Sequence, residues 1–574
     1  MSHPLLLHWR SARHMKPSQL AFYVLRRFFP SRSIEPSASP AIRKGTFDEP
    51  PCATNGIYVN NTTFRFLNVE VDLGKDENAL DWAARSEQRL WQYNLHYFDY
   101  LREPSRPPEN KNKLIQSWIS GNPPGSTPGW EPFTVSLRIV NWIFYLRSLP
   151  IDAVPVAWLD NLWLQARWLE KNDERHILAN HYFENLKALL FAGCFFNGEH
   201  AARWRKRAVR KIIAQLREQT LADGGHYERS HQYHCLMLEN YLDIVNLGKV
   251  CPDLVPADLM SQLQSTVAQG LDYLNDTLFP DGTIPLFNDA AFGVALSPAE
   301  LFAYAERLGM PVKQDVSKSF KVINRPDSGI YGGRIGRDMF VIDCGDIGPS
   351  YQPGHTHCDF LSYELMLSGR RVIVDSGVCE YEPGPLRQYA RSTRAHNTVV
   401  VDGGEQSEIW GEFRVARRAR KIAAETVLHG HKMKFRGAFR GFYNARGRIE
   451  HERSVSLELA ATGEMFQTVV VTDLVRGRGR HVAESLVHLH PAVELEDSQD
   501  GEIYLLDRGT LVAAIQITDS QEYSIDSSCY CPEFGRRIPN RVLILRKQGR
   551  LPLTIQYEIK QTVSIQPGIT SAGP

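Results

Sequence analysis

"GHTHCDFLSYELMLSGRRVIVDSG", residues 354–377, sets His355 and His357 two apart, ahead of a strand-like run that closes on Asp375. Similar short runs rich in Val, Ile, Tyr and Thr surround it: MFVIDCG (339–345), HNTVVVDGG (396–404), FQTVVVTDLV (466–475) and RVLILRK (541–547). Gly and Asp punctuate them, and no helical pattern separates them, so the chain after about residue 323 reads as antiparallel sheets stacked in a sandwich.

Upstream the texture is different. LWQYNLHYFDYL (90–101), VSLRIVNWIFYLRSL (135–149), WLDNLWLQARWLEKN (158–172) and NHYFENLKALLFAGCFF (180–196) repeat apolar residues every three or four positions, the helical period. Pro and Gly turns divide them into hairpins that could close into a ring. The sequence therefore divides into a lead-in (1–56) that is rich in Pro and Ser from residue 30, a helical domain (57–322) and a β-sandwich domain (323–574), an α+β multidomain chain. With 574 residues there is material for two full cores.

Lys and Arg number 66 against 65 Asp and Glu, so no global field draws the chain to nucleic acid. A composition of 43% hydrophobic and 23% charged residues fits a globular protein. Local basic runs remain, RWRKRAVRK (203–211) reading as the solvated face of a helix. Nine cysteines without CxxC pairs read as reduced thiols. The N-terminus has basic residues, but its apolar part LAFYVL is short and runs into Arg26 and Arg27, unlike a signal peptide or a membrane span. The expected location is the cytoplasm, or outside it by another export route.

Three places hold chemistry. In ANHYFENL, Asn180, His181 and Glu184 share one helix face, either as capping groups or as part of a cleft. In DGGHYERSHQYH, Tyr227, Arg229, Tyr233 and His234 precede an apolar helix. The β half adds His355, His357, Asp375 and His396; two of these imidazoles and the carboxylate form a three-ligand site for a divalent cation, or the residues are unrelated polar groups. Zinc matches two imidazoles and a carboxylate best, with manganese and calcium as alternatives.

Taken together and in order, LWQYNLHYFDYL, ANHYFEN, DGGHYERSHQYH, PDGTIPLFNDA, GHTHCDFLSYEL, VDSGVCEY and RSTRAHNTVVVDGGEQSEIWGEFR resemble the heparinase II/III family of polysaccharide lyases. The resemblance implies an incomplete (α/α) toroid followed by an antiparallel β-sandwich, with the active cleft between them. It implies Asn180, His181, Tyr233 and His355 as catalytic residues, with Glu184 beside them, and His357, Asp375 and His396 as metal ligands. Glu184, Arg229, His234 and Arg394 are the candidate substrate contacts. His231 stands where many relatives have proline.

The implied reaction is β-elimination on an acidic, uronate-containing polysaccharide such as a glycosaminoglycan, alginate or a related exopolysaccharide. A base removes the C5 proton while Asn180 and His181 stabilise charge on the adjacent carboxylate. A tyrosine that ordinarily titrates near 10 needs positive neighbours to serve as that base, and His181, His234 and Arg229 are candidates. Two other readings are a glycoside hydrolase using Glu184 and Asp289, and a non-catalytic polysaccharide-binding or assembly protein.

Overall fold

The computed structural model describes residues 4–29, 34–48, 57–312, 319–498, 501–518 and 522–562. Two short helices, Pro4–Ala12 and Pro17–Phe28, come first. Residues 34–48 lie extended against the helical half, where Arg43 N–H donates to the Phe195 carbonyl (2.8 Å) and Phe47 stacks on Phe191. The parts of the lead-in at 30–33 and 49–56 lie outside the described residues.

The helical half follows, from Arg89–Tyr97 to Pro298–Arg307. Helix Pro132–Ser148 packs between Arg89–Tyr97, Val156–Asn172 and Ala179–Phe195, and buries Val135, Ile139, Trp142, Ile143 and Leu146. Most of its faces are apolar because it is enclosed on most sides, as expected of an inner helix. Helix Glu199–Gln219 instead buries one stripe, Ala201, Trp204, Ala208 and Ile212, and turns most of the basic run at 203–211 to water.

From Lys321 the strands pair into antiparallel sheets, with loops and the short helix Pro385–Arg391 between some of them. A five-stranded meander, Lys321–Arg325 to Arg370–Ile373, carries the opening motif. An eight-stranded sheet and a four-stranded sheet complete the sandwich. Burial alternates residue by residue along Glu450–Leu459 and Phe466–Arg476, so one face of each strand packs on the core and the other faces outward. Among the described residues eight cysteines are free and buried.

A buried ion pair locks this sandwich to the site. Asp473 accepts from Arg453 Nε (2.7 Å), His451 Nε2 (2.8 Å) and Ser485 Oγ (2.7 Å), and Arg453 donates onward to the Leu361 and Asn397 carbonyls. Burial alone would raise the Asp473 pKa, but Arg453 and His451 hold it below the usual carboxylate value. A lowered native pKa stabilises the fold fully above the unfolded value of about 3.9, and that stability is lost as pH falls through the native value. Asp473→Asn should therefore melt lower at neutral pH and show a flatter acid limb than wild type when thermal midpoints are measured against pH. Parallel curves would show that Asp473 does not set acid stability.

Candidate active site

Three loops meet where the helical half faces the sheets, and backbone hydrogen bonds explain their motifs. In the ERS segment Ser230 caps helix His231–Val250, accepting from Tyr233 N–H (3.4 Å), while its hydroxyl donates to the Asp289 carbonyl (2.5 Å). Asn288 and Asp289 then pair with the 354–359 loop: Asp289 N–H donates to the His355 carbonyl (3.0 Å), and His357 N–H donates to Asn288 Oδ1 (3.1 Å). Non-glycine residues with left-handed φ flank these points: Leu178 (66°), Ala179 (52°), Arg229 (57°) and Asn288 (59°). Such conformations persist where the surrounding structure imposes them, and they cluster at functional sites.

The result is a cleft of about 640 Å³ lined from both halves. Asn180, His181 and Glu184 come from helix Ala179–Phe195, Glu228, Gln232 and Tyr233 from the next motif, and His355, Tyr381 and Phe413 from the β half. Tyr233 and His355 stack with ring centroids 3.8 Å apart, and the Tyr233 hydroxyl lies 3.3 Å from that of Tyr381. Burial, reinforced by Tyr381 and Asp289, raises the Tyr233 pKa well above its ordinary value. Tyr233 is thus a proton donor at neutral pH.

Behind the pair lies Asp289, fully buried. It accepts from Arg387, from His355 Nδ1 (2.8 Å) and from His357 Nε2 (2.7 Å). Burial opposes its ionisation, yet Arg387 and the two imidazoles hold its pKa well below the carboxylate range. An ionised carboxylate only accepts, so the hydrogens sit on His355 Nδ1 and His357 Nε2. His355 Nε2 is left toward Glu228, 3.5 Å away. Glu228 is a buried carboxyl whose pKa burial raises, against the lowering effect of His355 and the Asn180 backbone N–H.

On the helix wall, burial works against charge on His181, but the Glu174 carboxylate 3.2 Å away raises its pKa. Its side chain is 30% exposed, so this ring is reachable from the cleft. Glu184 accepts from Asn240 (2.6 Å) and lies 3.7 Å from Lys187, which also pairs with Asp243 (2.8 Å). It belongs to an ion network along the cleft wall.

Three expected substrate contacts lie outside the cleft lining. Arg229 donates to the Asp346 and Asp327 carbonyls (2.9 and 3.0 Å) and ties its loop to the meander. His234 donates to the Gly270 carbonyl (2.9 Å), with its pKa lowered by burial to about 4. Arg394 pairs with Glu484 at the surface. Of the positive neighbours expected for Tyr233, only His181 shares its cleft. His231 starts its helix normally, with its ring buried against Tyr273 (3.4 Å).

The proposed metal ligands are near one another and buried. His396 Nδ1 meets Asp375 Oδ2 at 2.8 Å, and the His357 and His396 rings are 5.3 Å apart. Among the described residues no three His, Cys, Asp or Glu side chains stand in a ready metal-ligand arrangement. The donor chemistry nevertheless fits an ion: His357 Nδ1 is a bare, buried, unpartnered nitrogen, its ring oriented from behind by Asp289, and His396 Nε2 is likewise unpartnered.

Comparison with known proteins agrees with this architecture. The family model "Heparinase II/III N-terminus" matches residues 108–302 and "Heparinase II/III-like, C-terminal" matches 319–565. The chain is similar to a heparin-sulfate lyase of Pedobacter heparinus, 24% identical over 368 residues, covering 58% of this chain and 54% of that protein. It is also similar to the FtsZ-localized protein C of Caulobacter vibrioides, 23% identical over 368 residues, covering 60% and 57%. The matches thus span little more than half of these relatives. The crystal structure of a heparinase III superposes with a TM-score of 0.66 at 16% identity, over 97% of this chain and 93% of that one, so the fold is a helical toroid followed by an antiparallel β-sandwich. With both halves matched in order, the chain belongs to the heparinase II/III family.

Proposed function

We propose that the protein is a polysaccharide lyase that cuts uronate-containing chains by β-elimination. The observation that carries this reading is the stacked Tyr233–His355 pair in the same cleft as Asn180 and His181. The base takes the C5 proton, the electrons of that bond form the C4=C5 double bond, the C4–O bond breaks, and the leaving oxygen takes a proton. The C5 proton is weakly acidic, so stabilising charge on the neighbouring carboxylate is the largest requirement. Asn180 and His181 supply donors for it. Tyr233, kept protonated, gives the leaving oxygen its proton. His355, its tautomer set by Asp289, offers Nε2 as the base for the epimer whose proton faces it.

The hydrolase reading pairs Glu184 with Asp289, and the second member is not available to a substrate. Asp289 is enclosed by three cationic or donor groups and does not line the cleft. Incubation with a panel of uronate polymers is the test. A lyase releases ultraviolet-absorbing unsaturated uronates, whereas new reducing ends without that absorbance, or no cleavage of any polymer, would overturn the proposal. In the same assay Asn180→Ala should lower turnover by roughly two to three orders of magnitude, the scale for losing one donor to a developing oxyanion. A change in KM alone would show that Asn180 only binds.

A divalent ion, zinc for preference, would be held by His357, Asp375 and His396. When bound, it supplies a fixed positive charge that cross-links the loop bearing His355 to the neighbouring strands. We expect near-stoichiometric metal by elemental analysis of the purified protein and its loss in His357→Ala, together with a lower thermal midpoint. His355→Ala should keep both. A metal-free wild type would reduce the three residues to a buried hydrogen-bond cluster.

A further inference from the structure

The N-terminal helix pair turns its apolar side outward. In helix Pro17–Phe28, Gln19, Phe22 and Arg26 face the body: Gln19 Nε2 donates to the Ile177 and Tyr351 carbonyls (3.3 and 3.5 Å), and Arg26 donates to the Asp173 carbonyl (3.0 Å). The opposite stripe, Leu20, Tyr23, Val24 and Phe28, follows helical spacing and is 40 to 72% exposed. In helix Pro4–Ala12 the same holds for Leu5 (72%) and Trp9 (63%), while Arg10 pairs with Glu408 and Ser11 donates to the Val415 carbonyl (3.3 Å). Of the seventeen large apolar side chains that the described residues expose, nine fall between Leu5 and Phe29. An ordinary surface helix hides this stripe, and scattered exposed residues would not concentrate so.

Charge says what covers it. The first 34 residues contain six Lys or Arg and no Asp or Glu. Arg10, Lys16 and Arg26 bind the body, but Arg13 and Arg27 stay exposed beside the apolar stripe. An apolar face flanked by cations and free of carboxylates is the pattern of a helix lying in a membrane interface. At nine and twelve residues, neither helix is long enough to span a bilayer.

We propose that residues 4–29 dock the protein on an anionic membrane surface, with Leu5, Trp9, Leu20, Tyr23, Val24 and Phe28 entering the headgroup boundary. The pair sits beside the cleft mouth: Gln19 touches Ile177, which lines the cleft, and Tyr351, whose neighbour Gln352 does too.

Flotation of the full chain with vesicles tests this. The wild type should float with an equal mixture of phosphatidylglycerol and phosphatidylcholine, at least about tenfold less with phosphatidylcholine alone, and less at high salt. The quadruple variant Leu20→Ser, Tyr23→Ser, Val24→Ser, Phe28→Ser should stay unbound at an unchanged thermal midpoint, since the four side chains point away from the body. Should that variant melt early, Arg27→Glu and quenching of Trp9 by brominated lipid decide in its place. Three results would overturn the proposal: a wild type that does not float, an Arg27→Glu variant that floats as well as wild type without Trp9 quenching, or a lipid-free dimer that the quadruple variant turns to monomer.

Discussion

Tyr233→Phe should lose roughly three to four orders of magnitude in turnover on every substrate the protein cuts, the upper range for a positioned proton donor. The substitution removes one oxygen. The ring remains to stack on His355, and the only hydrogen bond at stake is the 3.3 Å contact with Tyr381, so the fold should be unaffected. The raised pKa of Tyr233 adds a second readout. A general acid works below its pKa, and this one is pushed up by burial and by Tyr381. The wild-type rate should therefore show no alkaline fall from tyrosine ionisation around pH 10, where an ordinary phenol titrates. Retention of more than a tenth of wild-type turnover would sink the assignment, and an alkaline limb near the ordinary value would mean that the hydroxyl is better solvated than its burial implies.

The helices were legible because Val135, Ile139, Trp142 and Leu146 repeat at helical spacing, and the strands because short runs rich in β-branched residues, such as Thr468 to Thr472, stand between Gly- and Asp-marked turns. The ordered motifs led to Asn180, His181, Tyr233 and His355, which line one cleft. Adjacency in sequence misled elsewhere. His234 follows Tyr233 directly, but on a helix consecutive residues point about 100° apart, so one lines the cleft while the other meets the Gly270 carbonyl. Arg229 lies close in sequence too, yet its left-handed backbone sends its side chain to the meander. Long-range partners left the weakest trace. Arg387 in PLRQYAR looks like any basic residue on a short helix, and only the fold brings it to Asp289, 98 positions away. Tyr381 sits within the VDSGVCEY motif, and its role emerges only from its hydroxyl beside that of Tyr233. Glu228 was hidden in the same way, because a buried carboxyl resembles a surface one until its surroundings are known.

Replacing Asp289 should have the largest combined effect on stability and rate. Its carboxylate and the Arg387 guanidinium are 0% and 1% exposed, and His355 and His357 donate to the same two oxygens. Asp289→Leu strands a buried cation and two N–H groups, and breaking such a pair from one side costs about 3 to 5 kcal/mol. Asp289→Asn keeps the volume but presents an amide N–H to groups that are already donors, so one imidazole must turn or change tautomer. If it is His355, Nε2 acquires the hydrogen and the base is lost, and the penalty for a wrong tautomer in a comparable Asp–His arrangement is on the order of 10⁴ in rate. Stability and catalysis can be separated by the double variant Asp289→Leu, Arg387→Met. Removing both charges leaves no uncompensated ion, and such apolar replacements are often neutral or better, so denaturant unfolding should recover most of the single-variant loss. Turnover should not recover, because nothing then orients His355. A double variant that regains wild-type turnover would show that Asp289 only fills and ties the core, and that His355 needs no partner to serve as base.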